Sequence, residues 1–180
     1  PAGSDYADPT YLYKVKGADD STYTDQKPTQ AGDYTVKATW AATENCPEIS
    51  DTDDFSILKR EITVSAEKTV KYNGFDQKLD ITEADITAGS VAGGETLDLS
   101  ASVTGKDKGV YDELDATPAY KVTDGEGNET TSNYTITVTG KLTIEQAAAD
   151  AFTGTVTLDD WTYGDEAKAE APEVTPAGSD

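Results

Sequence analysis

Pro28-Thr29-Gln30-Ala31-Gly32-Asp33-Tyr34-Thr35-Val36-Lys37-Ala38-Thr39-Trp40 is the stretch that decides the fold. Ala31-Gly32-Asp33 reads as a turn. After it, Tyr34, Val36, Ala38 and Trp40 alternate with Thr35, Lys37 and Thr39. That is the two-residue period of a strand with one buried face. A Gly-x-Tyr-x-Val at the start of such a strand is the sequence of a tyrosine corner in a β-sandwich, with Val where antibody domains have Cys. Trp40 falls at the far end of the strand and is expected to cap the core there.

The same alternation extends in both directions. Upstream, Tyr11, Tyr13 and Val15 alternate with Leu12, Lys14 and Lys16, and Gly17-Ala18-Asp19-Asp20 turns the chain. Downstream, Thr43–Glu48 reads as a loop, Phe55 and Ile57 begin a further strand, and Leu58 ends it. From Lys59 a second set follows: Ile62 and Val64; Val70 and Tyr72 before Asn73-Gly74, a hairpin-turn signal; then Leu79 and Ile81. Leu97, Leu99, Ala101 and Val103 close at Gly105. Ala119–Val122 is followed by the turn Asp124–Asn128, and then by Tyr134, Ile136, Val138, Leu142 and Ile144. Short strands separated by turn signals every ~8–12 residues read as an all-β sandwich. Glu145–Ala151 is Ala-rich and reads as a linker. Beyond it, Phe152, Val156 and Leu158, then Trp161, Tyr163 and a run to Val174, form two more strands.

Composition removes several function classes. Lys plus Arg is 14 against Asp plus Glu at 35, a net charge of -21. Such a surface repels nucleic acid and anionic lipid, and it keeps a long fibre soluble. A hydrophobic content of 36% raises disorder as a rival reading. The 10 Tyr and 2 Trp recurring in alternating patterns argue against it. There is one Cys, no Met and no His. A disulfide within one chain, a Cys/His zinc site and a Ser-His-Asp triad are therefore excluded, and no enzyme is expected. No signal peptide, transmembrane run or sorting motif is evident, as expected for a piece of an array.

The chain also repeats itself. Pro1-Ala2-Gly3-Ser4-Asp5 returns as Pro176-Ala177-Gly178-Ser179-Asp180, a period of 176 − 1 = 175 residues. This pattern predicts a tandem array cut at an arbitrary register. Residues 59–149 then make one complete domain. Residues 1–58 are the later part of a split domain that lacks its opening strands. Residues 150–180 are a linker and the opening strands of the next copy of that split domain.

Trp161-Thr162-Tyr163-Gly164-Asp165, Tyr11-Leu12-Tyr13-Lys14, Lys27–Ala38 and Asp54-Phe55-Ser56-Ile57 together resemble the MBG family of immunoglobulin-like repeats in bacterial surface proteins. Lys71-Tyr72-Asn73-Gly74 with Asp124–Asn128 and Ser132-Asn133-Tyr134-Thr135-Ile136 resembles the related YDG-type repeat, with Asn73 where Asp is usual. The resemblance covers nearly the whole chain in permuted order. It implies immunoglobulin-like β-sandwich domains in tandem, an elongated rod, and a secreted protein on the cell wall or surface of a Gram-positive bacterium. It brings no catalytic residues.

The split domain gives the sharpest functional expectation. Phe152, Val156, Leu158, Trp161, Tyr163 and Val174 are donated to an identical neighbouring unit. There they complete an acceptor core of Tyr11, Tyr13, Tyr34, Val36, Trp40 and Phe55. Strand addition to an open edge, head to tail and non-closing, builds a fibre. The alternative is an adhesin module whose exposed aromatics bind a host or glycan ligand. A less favoured idea is an isopeptide bond from Lys71 or Lys68 to Asn133, which needs burial of the pair beside a carboxylate; Asn133 more readily reads as a turn residue. Asp51-Thr52-Asp53-Asp54 and Ala18-Asp19-Asp20 offer hard oxygen ligands for calcium, but the spacing is not that of an EF-hand. Solvated acidic loops are the expectation, with no cofactor. Cys46 reads as an unpaired loop residue.

Overall fold

The computed structural model describes residues 5–148, 152–168 and 173–176. Of the repeated pentapeptides, all but Asp5 and Pro176 lie outside the described residues. The chain is all-β, and among the described residues the only helices are single 3-10 turns. The strands are β1 (Thr10–Val15), β2 (Gly32–Trp40), β3 (Ile49–Ile57), β4 (Arg60–Lys71), β5 (Gln77–Ile81), β6 (Ile86–Ala88), β7 (Thr96–Gly105), β8 (Gly109–Tyr111), β9 (Ala119–Thr123), β10 (Tyr134–Glu145), β11 (Phe152–Thr155) and β12 (Glu173–Pro176). They form four sheets, ordered β1-β2-β3, β6-β4-β10-β8, β5-β7-β9 and β11-β12.

The chain divides into two compact units. The first joins Pro1–Thr63, Ile86–Asp98 and Lys121–Thr137; the second joins Val64–Asp85, Leu99–Tyr120 and Val138–Asp180. In the first unit, β2 forms because its alternating residues find antiparallel partners on both sides. Tyr34 opposes Val15 and Phe55, and Val36 opposes Tyr13 and Asp53. The same unit buries Ile62, Leu97, Val122 and Tyr134. The Tyr134 hydroxyl contacts Glu95 and accepts the Ala92 N–H at 2.8 Å. Gly89 sits at φ +77°, and a Cβ there would run into the Glu61 carbonyl, so only glycine fits.

The second unit buries Val64, Ala66, Leu79, Ile81, Leu99, Val103, Leu142 and Ile144. On each strand they fall at alternate positions, as the two-residue period requires. Full burial of each such side chain is worth about 1.5–3 kcal/mol for Val, Leu or Ile. The two sheets approach closely at Gly140 of β10, where an added Cβ would lie 2.5 Å from Ile81 Cδ1 and 2.9 Å from Val103 Cγ2. Asp115 ties this unit's loop to β7. It accepts from Ser102 Oγ at 2.6 Å, Thr104 N at 2.9 Å and Thr104 Oγ1 at 2.8 Å. The two hydroxyls, then the Thr104 N–H, hold its carboxyl below the ordinary value.

Four local expectations change. Asp51–Asp54 is not a loop but the middle of β3, because β2 is long enough to pair it through Ala38↔Asp51 and Lys37↔Thr52. Asn73-Gly74 is not a hairpin turn. β4 and β5 lie in different sheets, and the chain crosses between them through an Asx turn in which Phe75 N donates to Asn73 Oδ1 at 3.0 Å. The short strands β6 and β8 were not evident in the pattern. Val156, Leu158, Trp161 and Tyr163 lie in irregular, exposed chain rather than in strands. Phe152 and Val174 do fall in β11 and β12, which pair with each other from Phe152↔Pro176 to Thr155↔Glu173.

Candidate functional site

The sheet β1-β2-β3 brings the six predicted acceptor residues onto one face. Directly opposed residues share a face, so the register places Tyr11, Tyr13 and Val15 beside Tyr34, Val36, Ala38 and Trp40, with Ile49, Phe55 and Ile57 on the third strand. Phe55 stacks on Tyr34 with ring centroids 5.7 Å apart and meets Tyr13 edge-on at 6.3 Å. The Tyr34 hydroxyl donates to the Gln30 carbonyl at 2.9 Å, the bond that a tyrosine corner requires. Tyr111 does the same, donating to the Asp107 carbonyl at 3.0 Å after the matching Gly109-Val110-Tyr111. The sequence carries the same Gly-x-Tyr signal at Gly109-Val110-Tyr111.

This face is not covered. No described residue from Asp5 to Leu58 is buried. Tyr11 is 51% exposed and Val15 60%. Asp51 and Asp53 interrupt the apolar row on β3, and with Tyr11, Val36, Ala38 and Trp40 they line a shallow hollow of ≈ 120 Å³. The opposite face is polar. Asp54 accepts from Thr35 Oγ1 at 2.6 Å and pairs with Lys16 Nζ at 3.0 Å, a bridge across all three strands. The Thr35 hydroxyl, then the Lys16 ammonium, holds the Asp54 carboxyl below its ordinary value.

The two edges of the sheet differ. In an antiparallel ladder each residue points its N–H and C=O to one side, and successive residues alternate. Lys16 N donates to Asp33 O at 3.0 Å, so odd residues of β2 face β1 and even ones face β3. Odd residues of β1 therefore point outward. Tyr13 exchanges both of its backbone bonds there with Thr24, at 2.7 and 2.9 Å, so that edge is partly covered. On β3 it is Ser50, Thr52, Asp54 and Ser56 that point outward. Two of those N–H groups are held by their own neighbours: Thr52 N donates to Asp51 Oδ1 at 2.9 Å and Asp54 N to Asp53 Oδ1 at 3.0 Å. Side-chain carboxylates that cap a free edge and charge it discourage indiscriminate strand pairing.

Val156 is 77% exposed, and Leu158, Trp161, Tyr163 and Val174 are exposed as well. Lys71 ion-pairs with Glu145 at 2.8 Å and is largely exposed. Lys68 donates to the Lys78 carbonyl at 2.8 Å. Asn133 spends its amide on Ala31 N at 2.8 Å and Gln30 Oε1 at 2.7 Å. None of these atoms sits in the buried environment that isopeptide condensation requires. Cys46 is a free thiol in the 43–46 turn. Among the described residues, no group of three or more His, Cys, Asp or Glu side chains is placed to hold a metal, and no helix is long and apolar enough to cross a membrane. No protein-family model matches this chain, and neither does any curated protein or solved structure.

Proposed function

We propose that this chain is a structural repeat unit of a secreted bacterial surface stalk or fibre. It consists of immunoglobulin-like sandwiches in tandem, with boundaries near 58/59 and 149/150. Units assemble head to tail, residues 152–180 of one completing the domain 6–58 of the next, without enzymatic activity. One observation carries the reading: the β1-β2-β3 sheet gathers ten apolar and aromatic side chains on one face and buries none of them. An apolar face of that kind marks an interaction site. Val156, Leu158, Trp161, Tyr163 and Val174 are exposed apolar groups that such a face would take. The test is light scattering with mass determination over a dilution series. Growth into open-ended species with concentration is expected; a concentration-independent 19.1 kDa species would overturn the reading.

A second reading is an adhesin module that binds a glycan. The hollow between Tyr11 and Trp40, rimmed by Asp51 and Asp53, supports it. Aromatic faces and carboxylates are groups that hold sugars. Glycan-array binding abolished by Trp40→Ala would favour this reading over the first.

A further inference from the structure

The chain contains its own template for how a neighbouring unit joins. We infer that residues 154–164 of one copy add as a parallel strand to the free edge of β3 of a second copy, with the Tyr163 N–H on the Leu58 carbonyl. This inference rests on the head-to-tail reading and specifies its edge, direction and register.

The template is the pairing of β4 with β10. Thr139 Oγ1 meets Ser65 Oγ at 3.0 Å, and Lys71 Nζ meets Glu145 at 2.8 Å. Both pairs are 74 residues apart, so the two strands run parallel. Their junction closes where Tyr72 N donates to the Glu145 carbonyl at 2.9 Å.

The donated segment reads like β4. Thr155-Val156-Thr157-Leu158 follows Thr63-Val64-Ser65-Ala66, and Trp161-Thr162-Tyr163-Gly164 follows Val70-Lys71-Tyr72 and Gly74. On β4, Val64 and Ala66 are buried while Ser65 is not. Val156 and Leu158 inherit the buried positions and Thr157 the outer one. The acceptor reads like β10. Phe55-Ser56-Ile57-Leu58 follows Leu142-Thr143-Ile144-Glu145, which makes Leu58 the counterpart of Glu145 and Thr52 that of Thr139.

The backbone alternation of β3 agrees with this register. The alternation along β3 sends even-numbered backbone groups to the free edge as far as Ser56, and Leu58 follows directly after the strand. The hydroxyl pair Ser65–Thr139 of the template becomes a second hydroxyl pair, Thr157–Thr52. The donor is one residue shorter between these points, with Asp159-Asp160 in place of Glu67-Lys68-Thr69, so the donor's alternation breaks there while β3 keeps its unbroken pairing with β2. The Asp51 and Asp53 caps on Thr52 and Asp54 hold this edge closed to other strands, and the donor's carbonyls replace them.

The test is cross-linking of the full chain in a Cys46→Ser background with a short bis-maleimide. Leu58→Cys/Thr162→Cys is compared with Lys16→Cys/Thr162→Cys, which probes the β1 edge at the same end of the sheet. A strand outside β1 lies four inter-strand spacings, about 19 Å, from one outside β3. The expected result is a ladder of dimers and longer chains for the Leu58 pair and none for the Lys16 pair. A ladder from the Lys16 pair overturns the edge assignment. So does the absence of both ladders in a sample that light scattering shows to be assembled, and that outcome leaves the head-to-tail reading standing. A sample that stays monomeric by scattering overturns both.

Discussion

The second unit and the β1-β2-β3 sheet are written in the same alternating script, yet one is sealed and the other is open. In the second unit, Val64, Ile81, Val103 and Leu142 are fully inaccessible, and the sheets come so close at Gly140 that a methyl group has no room. In the three-stranded sheet, Tyr34, Val36 and Trp40 follow an equally regular alternation and none is buried. Alternation decides which side chains share a face. It does not decide whether anything covers that face. The open face carries ten apolar and aromatic side chains with none buried, which is why we place a partner on it.

The largest test of the comparison deletes apolar volume from each region. Leu142→Ala should cost about 2–5 kcal/mol, the usual penalty for emptying a buried site. Val36→Ala should cost less than about 1 kcal/mol in dilute solution, because that side chain already meets solvent. Urea unfolding at low protein concentration reads both. Equal costs would mean that the first sheet is covered within a single chain.

A smaller effect comes from adding volume. Gly140→Ala should destabilise by about 1–3 kcal/mol through overpacking against Ile81 and Val103. Gly154→Ala, where nothing lies within 4 Å, should leave the thermal midpoint of the dilute chain unchanged. A neutral Gly140→Ala would show that the second unit is loosely packed and would blur the contrast.

Next in size is the tyrosine corner. Tyr34→Phe removes the bond to the Gln30 carbonyl and should cost about 0.5–1.5 kcal/mol. Tyr111→Phe should behave alike, since its hydroxyl serves the Asp107 carbonyl in the same way. Denaturant melts followed by Trp40 fluorescence in a Trp161→Phe background would separate the first from the second.

The smallest effect is electrostatic and the same in both regions. Asp54 and Asp115 are each held below the ordinary carboxyl value of 3.8 by hydroxyl donors. A depressed folded-state pKa adds stability that is fully present above 3.8 and is lost as pH falls below it. Both groups are solvent-exposed, so the slope should be shallow. Carboxyl NMR titration should find both midpoints under 3.8; a midpoint at or above that value would remove the proposed bridge across β1-β2-β3 or the loop tie of β7.

Much of this was legible in the residues. Tyr34–Trp40, Tyr11–Val15, Leu97–Val103 and Tyr134–Ile144 all became strands, because each has enough alternating positions to select a face. Gly32-Asp33-Tyr34 reads as a tyrosine corner, and the Tyr34 hydroxyl makes the backbone bond of one. Asp51–Asp54 misled, because four polar residues look like a loop when read alone. They are strand because a long neighbour, β2, pairs them, and tertiary pairing outweighs propensity. Asn73-Gly74 carried a turn signal, but turn chemistry does not say whether the chain returns to the same sheet. β6 and β8 are three residues each, too short to show a period. The β3 edge caps were invisible for a different reason: only the register reveals that Thr52 and Asp54 face outward.

The most direct measurement is residue-resolved amide hydrogen exchange across a dilution series. At the lowest concentration, Ser50 and Ser56 on the β3 edge should exchange fast, while Val64, Val103 and Leu142 stay protected. Raising the concentration should slow the β3 edge amides and leave the second unit unchanged. Edge protection that is already high and does not respond to concentration would contradict the account.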